Sequence, residues 1–154
     1  MPIVVHIDSP GGRIQEKAKA FVNQVLPVAL DIPIQIAHLG GSGPNYDGEE
    51  TLKVFVDAIT SGDSRMKNIY FEVSSEITKE TPQATLELVA KRIRQLGLQH
   101  VVYGSDRAGT RDDRSKSGNW DWAAFLRLPL TQKEFKTIAE NVAPYIRYDQ
   151  LQRK

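Results

Sequence analysis

Four short apolar, β-branched runs punctuate the chain: Ile3–Val5, residues 32–37, Ile69–Val73 and Val101–Tyr103. Near-continuous apolar runs of this length predict strands of a parallel sheet covered on both faces. Helical spacing follows each run. Residues 14–26 place Ala18, Phe21, Val22 and Val25 on one stripe, and residues 49–59 do the same with Leu52, Phe55, Val56 and Ile59. A third helix is predicted over 82–96, with Thr81 as N-cap, Pro82 at the first helical position and Gly97 as its stop. Thr131 and Glu134 have the spacing of a capping box, opening a last helix with Phe135, Ile138 and Val142 on one face. Trp120, Trp122 and Phe125 predict a short helix over the sheet end.

Strands beginning at Ile3, Ile34, Ile69 and Val101 recur at intervals of roughly 30–35 residues, each with a helix behind it. That is the rhythm of tandem right-handed βαβ units. The expected fold is α/β: one domain over residues 1–154, with four βα units. A full (β/α)8 barrel takes ~250 residues, so this chain holds about half of one. An apolar parallel strand left at an open edge is an aggregation liability. Three arrangements meet that problem: a half or fragment of a larger barrel, association of two copies, or an open doubly wound sheet.

The composition narrows the function classes. Twenty basic against nineteen acidic residues leave a net charge of +1 over 154 residues. A general nucleic-acid binder needs a basic excess for phosphate, so no nucleic-acid partner is expected. The chain has no cysteine, which removes disulfides, cysteine-type zinc sites and a thiol nucleophile. No apolar stretch approaches the ~20 residues of a membrane span, and no signal-peptide pattern opens the chain. Cytoplasmic residence without a membrane partner is the expectation.

In parallel α/β proteins ligands bind at the C-terminal ends of the strands. Here those ends carry His6 and Asp8, then His38 with Gly40-Gly41-Ser42-Gly43, then Glu72 with Ser74 and Ser75, then Gly104-Ser105-Asp106. The third histidine, His100, precedes the fourth strand and so falls at the opposite end, where a stabilising or surface role is expected. Imidazole and carboxylate are ligands for zinc, manganese and iron. His6, His38 and Asp106 could share one metal, or two could bind it while the third moves protons. A strand-end histidine often only hydrogen-bonds a neighbour. Two of them with an aspartate at matching ends favour a site.

The motifs Val-Val-His-Ile-Asp, Ile-Ala-His-Leu-Gly-Gly, Asn-Ile-Tyr-Phe-Glu-Val-Ser and Val-Val-Tyr-Gly-Ser-Asp occur in that order at βα spacing. Together they resemble the second half of an amidohydrolase-superfamily barrel. The nearest likeness is the amidohydrolase-related branch of metal-dependent hydrolases and aminocarboxymuconate-semialdehyde-decarboxylase-like enzymes. The tail Leu-Thr-Gln-Lys-Glu-Phe-Lys-Thr-Ile-Ala-Glu-Asn-Val-Ala resembles the closing helix of that family. The likeness runs from Pro2 to about Tyr145. It implies that the four strands match barrel strands five to eight. His6 is then the strand-five metal ligand. His38 is the strand-six histidine, a ligand or a water-activating group. Asp106 is the strand-eight aspartate, both ligand and proton shuttle. Glu72 falls where the family has no fixed ligand. The divalent cofactor implied is zinc, with manganese or iron as alternatives. The strand-one His-x-His pair of the family is absent, so the chain holds part of a metal site at most.

Arg107 and Arg111 lie in a charged, glycine-bearing segment after the fourth strand and could grip a substrate carboxylate. A solvated loop is the plainer reading. The loop from Gly40 to Gly43 lacks established phosphate-binding spacings, and Glu49-Glu50 would repel an anion at the helix that follows. Ser105 is not in a Gly-x-Ser-x-Gly context and no histidine follows it, which argues against a serine hydrolase. The expected activity is therefore metal-dependent hydrolysis or decarboxylation of a small amide, ester, lactone or ring carboxylate. The alternative is a non-catalytic half-barrel binding or assembly module. The expected partner besides substrate is a second copy, as a homo-oligomer, or a complementary barrel half.

Overall fold

A computed structural model describes residues 3–7, 14–29, 31–41, 48–74, 76–104 and 118–142. The four strands are β1 (Ile3–Val5), β2 (Ile34–Ile36), β3 (Ile69–Val73) and β4 (Val101–Tyr103). They form one parallel sheet in the order β1-β2-β3-β4. The α/β class and the parallel sheet expected from the spacing are present. The helices are α1 (Ile14–Ala20), α2 (Glu49–Thr60), α3 (Gln83–Leu96), α4 (Gly118–Phe125) and α5 (Gln132–Glu140).

Strand order removes one of the arrangements left open by the spacing. A doubly wound sheet needs a reversal of order, which sends helices to both faces. With a sequential order and right-handed crossovers, every connecting helix falls on one face. The register agrees. Ile34, Ile69, Ile36, Phe71 and Val101 share a face, all at most 1% exposed, and pack with Phe21, Leu52, Phe55, Leu86 and Ile93 from the helices. Phe55 meets Phe71 edge to face at 5.3 Å between ring centres. The alternate positions Val4, Gln35, Tyr70, Glu72 and Val102 belong to the other face. That face is mixed in character: Val4 is 63% exposed, whereas Glu72 and Val102 are buried. The described sheet is singly wound, not covered by helices on alternating sides.

Three local expectations shift. Beyond α1 the helix widens into a π-helical turn over Phe21–Val25 and then tightens over Leu26–Val28. Leu26 is therefore the buried residue, and Val25 is exposed. Pro82, not Thr81, is the N-cap of α3; the Thr81 hydroxyl instead accepts from the Thr78 N–H at 2.8 Å and closes the preceding turn. Val142 lies beyond the end of α5 and is exposed, while Ile138 is fully buried. The capping box of α5 forms as the spacing predicts: Glu134 N–H donates to Thr131 Oγ1 at 3.2 Å, and Thr131 N–H donates to Glu134 Oε2 at 2.7 Å. In α4, Phe125 is buried against Tyr103, and Trp122 meets the same ring at 5.0 Å.

Candidate functional site at the strand ends

β1 and β2 run side by side and end at the same level, with Val5 opposite Ile36. The chain then delivers His6 from the first and His38 from the second. Their rings meet edge to face, with centres 5.0 Å apart and planes at 82°. His6 is exposed and His38 is 9% exposed. Two imidazoles sharing one tetrahedral ion at ~2.0–2.1 Å per bond would have ring centres roughly 5 Å apart. The 5.0 Å spacing is close to that figure, and it is equally the ordinary spacing of an edge-to-face ring contact. Among the described residues no group of three or more His, Asp or Glu side chains is arranged to hold a metal ion. The donor chemistry fits a divalent cation, and the described residues supply two donors.

His38 is held in an unusual backbone. It has φ 53° and ψ 39°, Leu39 follows with φ 48°, and Gly40 with φ 84°. Left-handed conformation costs a non-glycine residue about 1–2 kcal/mol, and here two occur in succession. The surroundings hold them there. Leu39 is fully buried in the core, and Gly41 N–H donates to His38 O at 2.7 Å. Gly40 lies so close to α2 that a Cβ would stand 2.8 Å from Thr51 Cγ2. Gly40 thus serves close packing and a left-handed turn. At the start of α2, Glu49 is gripped by Arg92 of α3, whose Nε donates at 3.0 and 3.1 Å.

Behind His38 lies a pair of residues named above only as polar groups at the end of the third strand. Glu72 and Ser74, 7% and 4% exposed, come from the end of β3. Ser74 donates to Glu72 Oε2 at 2.8 Å. The same carboxylate oxygen accepts from the His38 backbone N–H at 3.4 Å. His38 Nδ1 lies 3.2 Å from the Ser74 carbonyl oxygen and 3.1 Å from Ser74 Oγ. Glu72 fits because β4 is followed by glycine. A Cβ at Gly104 would stand 2.0 Å from Glu72 Oε1. The sequence signal was available: an acidic residue inside Ile-Tyr-Phe-Glu-Val, where every neighbour suits a buried strand.

A cavity of about 300 Å³ opens beside His6, lined also by Ile7, Lys17, Ala20, Phe21 and Gln24. Asp106, Arg107 and Arg111 lie outside the described residues, as do Asp8 and Ser105. The structure thus brings together His6 and His38 and adds Glu72 and Ser74 to them. His100 is at the other end of the sheet, as expected, with Nδ1 2.8 Å from Ile69 O. No helix among the described residues is long and apolar enough to cross a membrane. The fold and these strand ends define a singly wound parallel α/β protein with a paired-imidazole site. No protein-family model matches the chain, and neither a curated protein nor a solved structure matches it.

Proposed function

We propose that the chain is the second half of a metal-dependent (β/α)8 hydrolase or decarboxylase of the amidohydrolase type. Its strands would correspond to barrel strands five to eight, acting on a small amide, ester, lactone or ring carboxylate. The observation that carries this reading is the His6–His38 ring pair, centres 5.0 Å apart, at the C-terminal ends of neighbouring parallel strands. The sequential strand order, with the described helices on one face, supports it, because a barrel segment requires both. His6 and His38 would hold the ion, and Asp106 would complete the set from the end of β4. Bound there, a divalent metal such as zinc supplies Lewis acidity and lowers the pKa of a coordinated water to about 7. His38 or Asp106 would hold and move the proton during the reaction. Arg107 or Arg111 would orient a substrate carboxylate.

A second reading keeps the fold and drops the catalysis: a half-barrel binding or assembly module. It is favoured by the exposed apolar edge, where Ile3 and Val4 are 38% and 63% exposed. Elemental analysis of tag-free protein purified without chelator separates the two. Near-stoichiometric zinc, manganese or iron, lost in His6→Ala and His38→Ala, supports the metal site. Folded wild-type protein that retains no metal, and takes up none on dialysis against zinc, overturns it for this chain.

A further inference from the structure

The network behind His38 has a direction. A carbonyl oxygen can only accept, so Nδ1 facing Ser74 O at 3.2 Å must be the donor. The Ser74 hydroxyl has one proton, and the carboxylate oxygen of Glu72 at 2.8 Å takes it. Ser74 Oγ therefore presents a lone pair to Nδ1 at 3.1 Å. Both neighbours of Nδ1 demand a proton there, and in neutral imidazole the lone pair then lies on Nε2. The polarity also rules out Ser74 as a nucleophile activated by His38, since its proton points away from the imidazole toward Glu72.

We propose that Glu72 and Ser74 are positioning residues that fix the tautomer and orientation of His38, with the proton on Nδ1 and the lone pair on Nε2. Glu72 acts twice. Through Ser74 it sets the polarity at Nδ1, and directly it accepts the His38 backbone N–H in the left-handed turn. Gly104 is the third member, because only a residue without a side chain leaves room for the Glu72 carboxylate. Outer partners of this kind orient metal-binding histidines, and losing one typically costs 10–100-fold in metal affinity. What Nε2 then does rests on the metal-site reading above; the tautomer itself does not.

The test is long-range proton–nitrogen correlation spectroscopy on the metal-free full chain with ¹⁵N-labelled histidine. The measurement is made at a pH where the imidazoles are neutral, and His38 is assigned by its loss in His38→Asn. Wild-type His38 is expected to carry its proton on Nδ1. Ser74→Ala and Glu72→Leu are expected to shift the tautomer ratio toward Nε2–H by up to about tenfold, the worth of one hydrogen bond. Ser74→Thr, which keeps the hydroxyl, is expected to restore the wild-type ratio. A wild-type proton on Nε2 overturns the proposal without any variant having to fold. So does an unchanged ratio in both folded variants. Zinc titration of the same samples reports separately: absence of zinc binding with the Nδ1–H tautomer intact sinks the metal reading alone.

Discussion

His38 and His100 sit at opposite ends of the same sheet and make the same first contact, Nδ1 to a backbone carbonyl of β3 or its end. What surrounds them differs. His100 lies in a turn between α3 and β4 with its ring beside Tyr70, centres 6.1 Å apart. Nearby Asn141 donates to Leu98 O at 2.5 Å and Val101 O at 2.8 Å, tying the end of α5 to β4. Every one of these contacts serves the fold. His38 occupies a left-handed backbone, faces a second imidazole and has a buried carboxylate behind it. Strain and buried polarity collect at one end, and relaxed hydrogen bonding at the other. Stored strain of this kind is characteristic of functional sites.

Gly104→Ala is the most severe way to break the strand-end arrangement. The added methyl would meet the Glu72 carboxylate at 2.0 Å, and both lie on or beside central strands. Overpacking at such a position costs about 3 kcal/mol. Chemical denaturation should show that loss. A stability within about 0.5 kcal/mol of wild type would mean that Glu72 can leave its place freely, and Glu72 would not be a fixed support of His38.

Matched asparagine substitutions sharpen the contrast between the ends. Asparagine tolerates left-handed backbone far better than most residues. In metal-free protein, His38→Asn is expected to leave stability unchanged or raise it by about 1 kcal/mol, as backbone strain is relieved. His100→Asn removes a hydrogen bond at 2.8 Å without any strain to release, and is expected to cost about 1 kcal/mol. Equal losses at the two positions, measured by urea midpoints, would erase the distinction between a strained end and a relaxed one.

Much of the fold was legible in the residues because parallel strands and amphipathic helices announce themselves by period. The boundaries of β1, β3 and β4 fall where the apolar runs fall, and the Thr131–Glu134 box forms as spaced. Val25 was misplaced because a π-helical turn adds a residue that no hydrophobic period reveals. His6 and His38 could be paired from sequence, since strand ends in a parallel sheet converge. Ser74 and the role of Glu72 could not. The place of Glu72 depends on a third party, Gly104, that lies more than 30 residues further along the chain and matters only through the side chain it lacks. The left-handed turn at His38–Leu39 is likewise imposed by tertiary packing against the preference of both residues.

The mildest perturbation acts at the relaxed end alone. Arg94 donates to Glu134 at 2.6 and 3.0 Å, and with the Thr131 backbone N–H it holds the Glu134 carboxyl down to about 2, from an ordinary 4.5. A carboxyl depressed by folding contributes stability that is fully present above its unfolded pKa and lost as pH falls through the folded one. The Arg94 side chain is 44% exposed, so solvent screening reduces the contribution to about 1 kcal/mol. Stability should therefore fall between pH 4.5 and pH 2 by that amount more in wild type than in Glu134→Gln, whose curve starts lower at neutral pH. The loss should come first at the contact between α5 and α3, read by amide exchange at residues 131–141, while the exchange of residues 71–74 in β3 keeps its neutral-pH rate relative to global unfolding. If the two regions loosened together in that window, the ends of the sheet would be one cooperative unit, and the strain at His38 would be shared with the structure that holds His100.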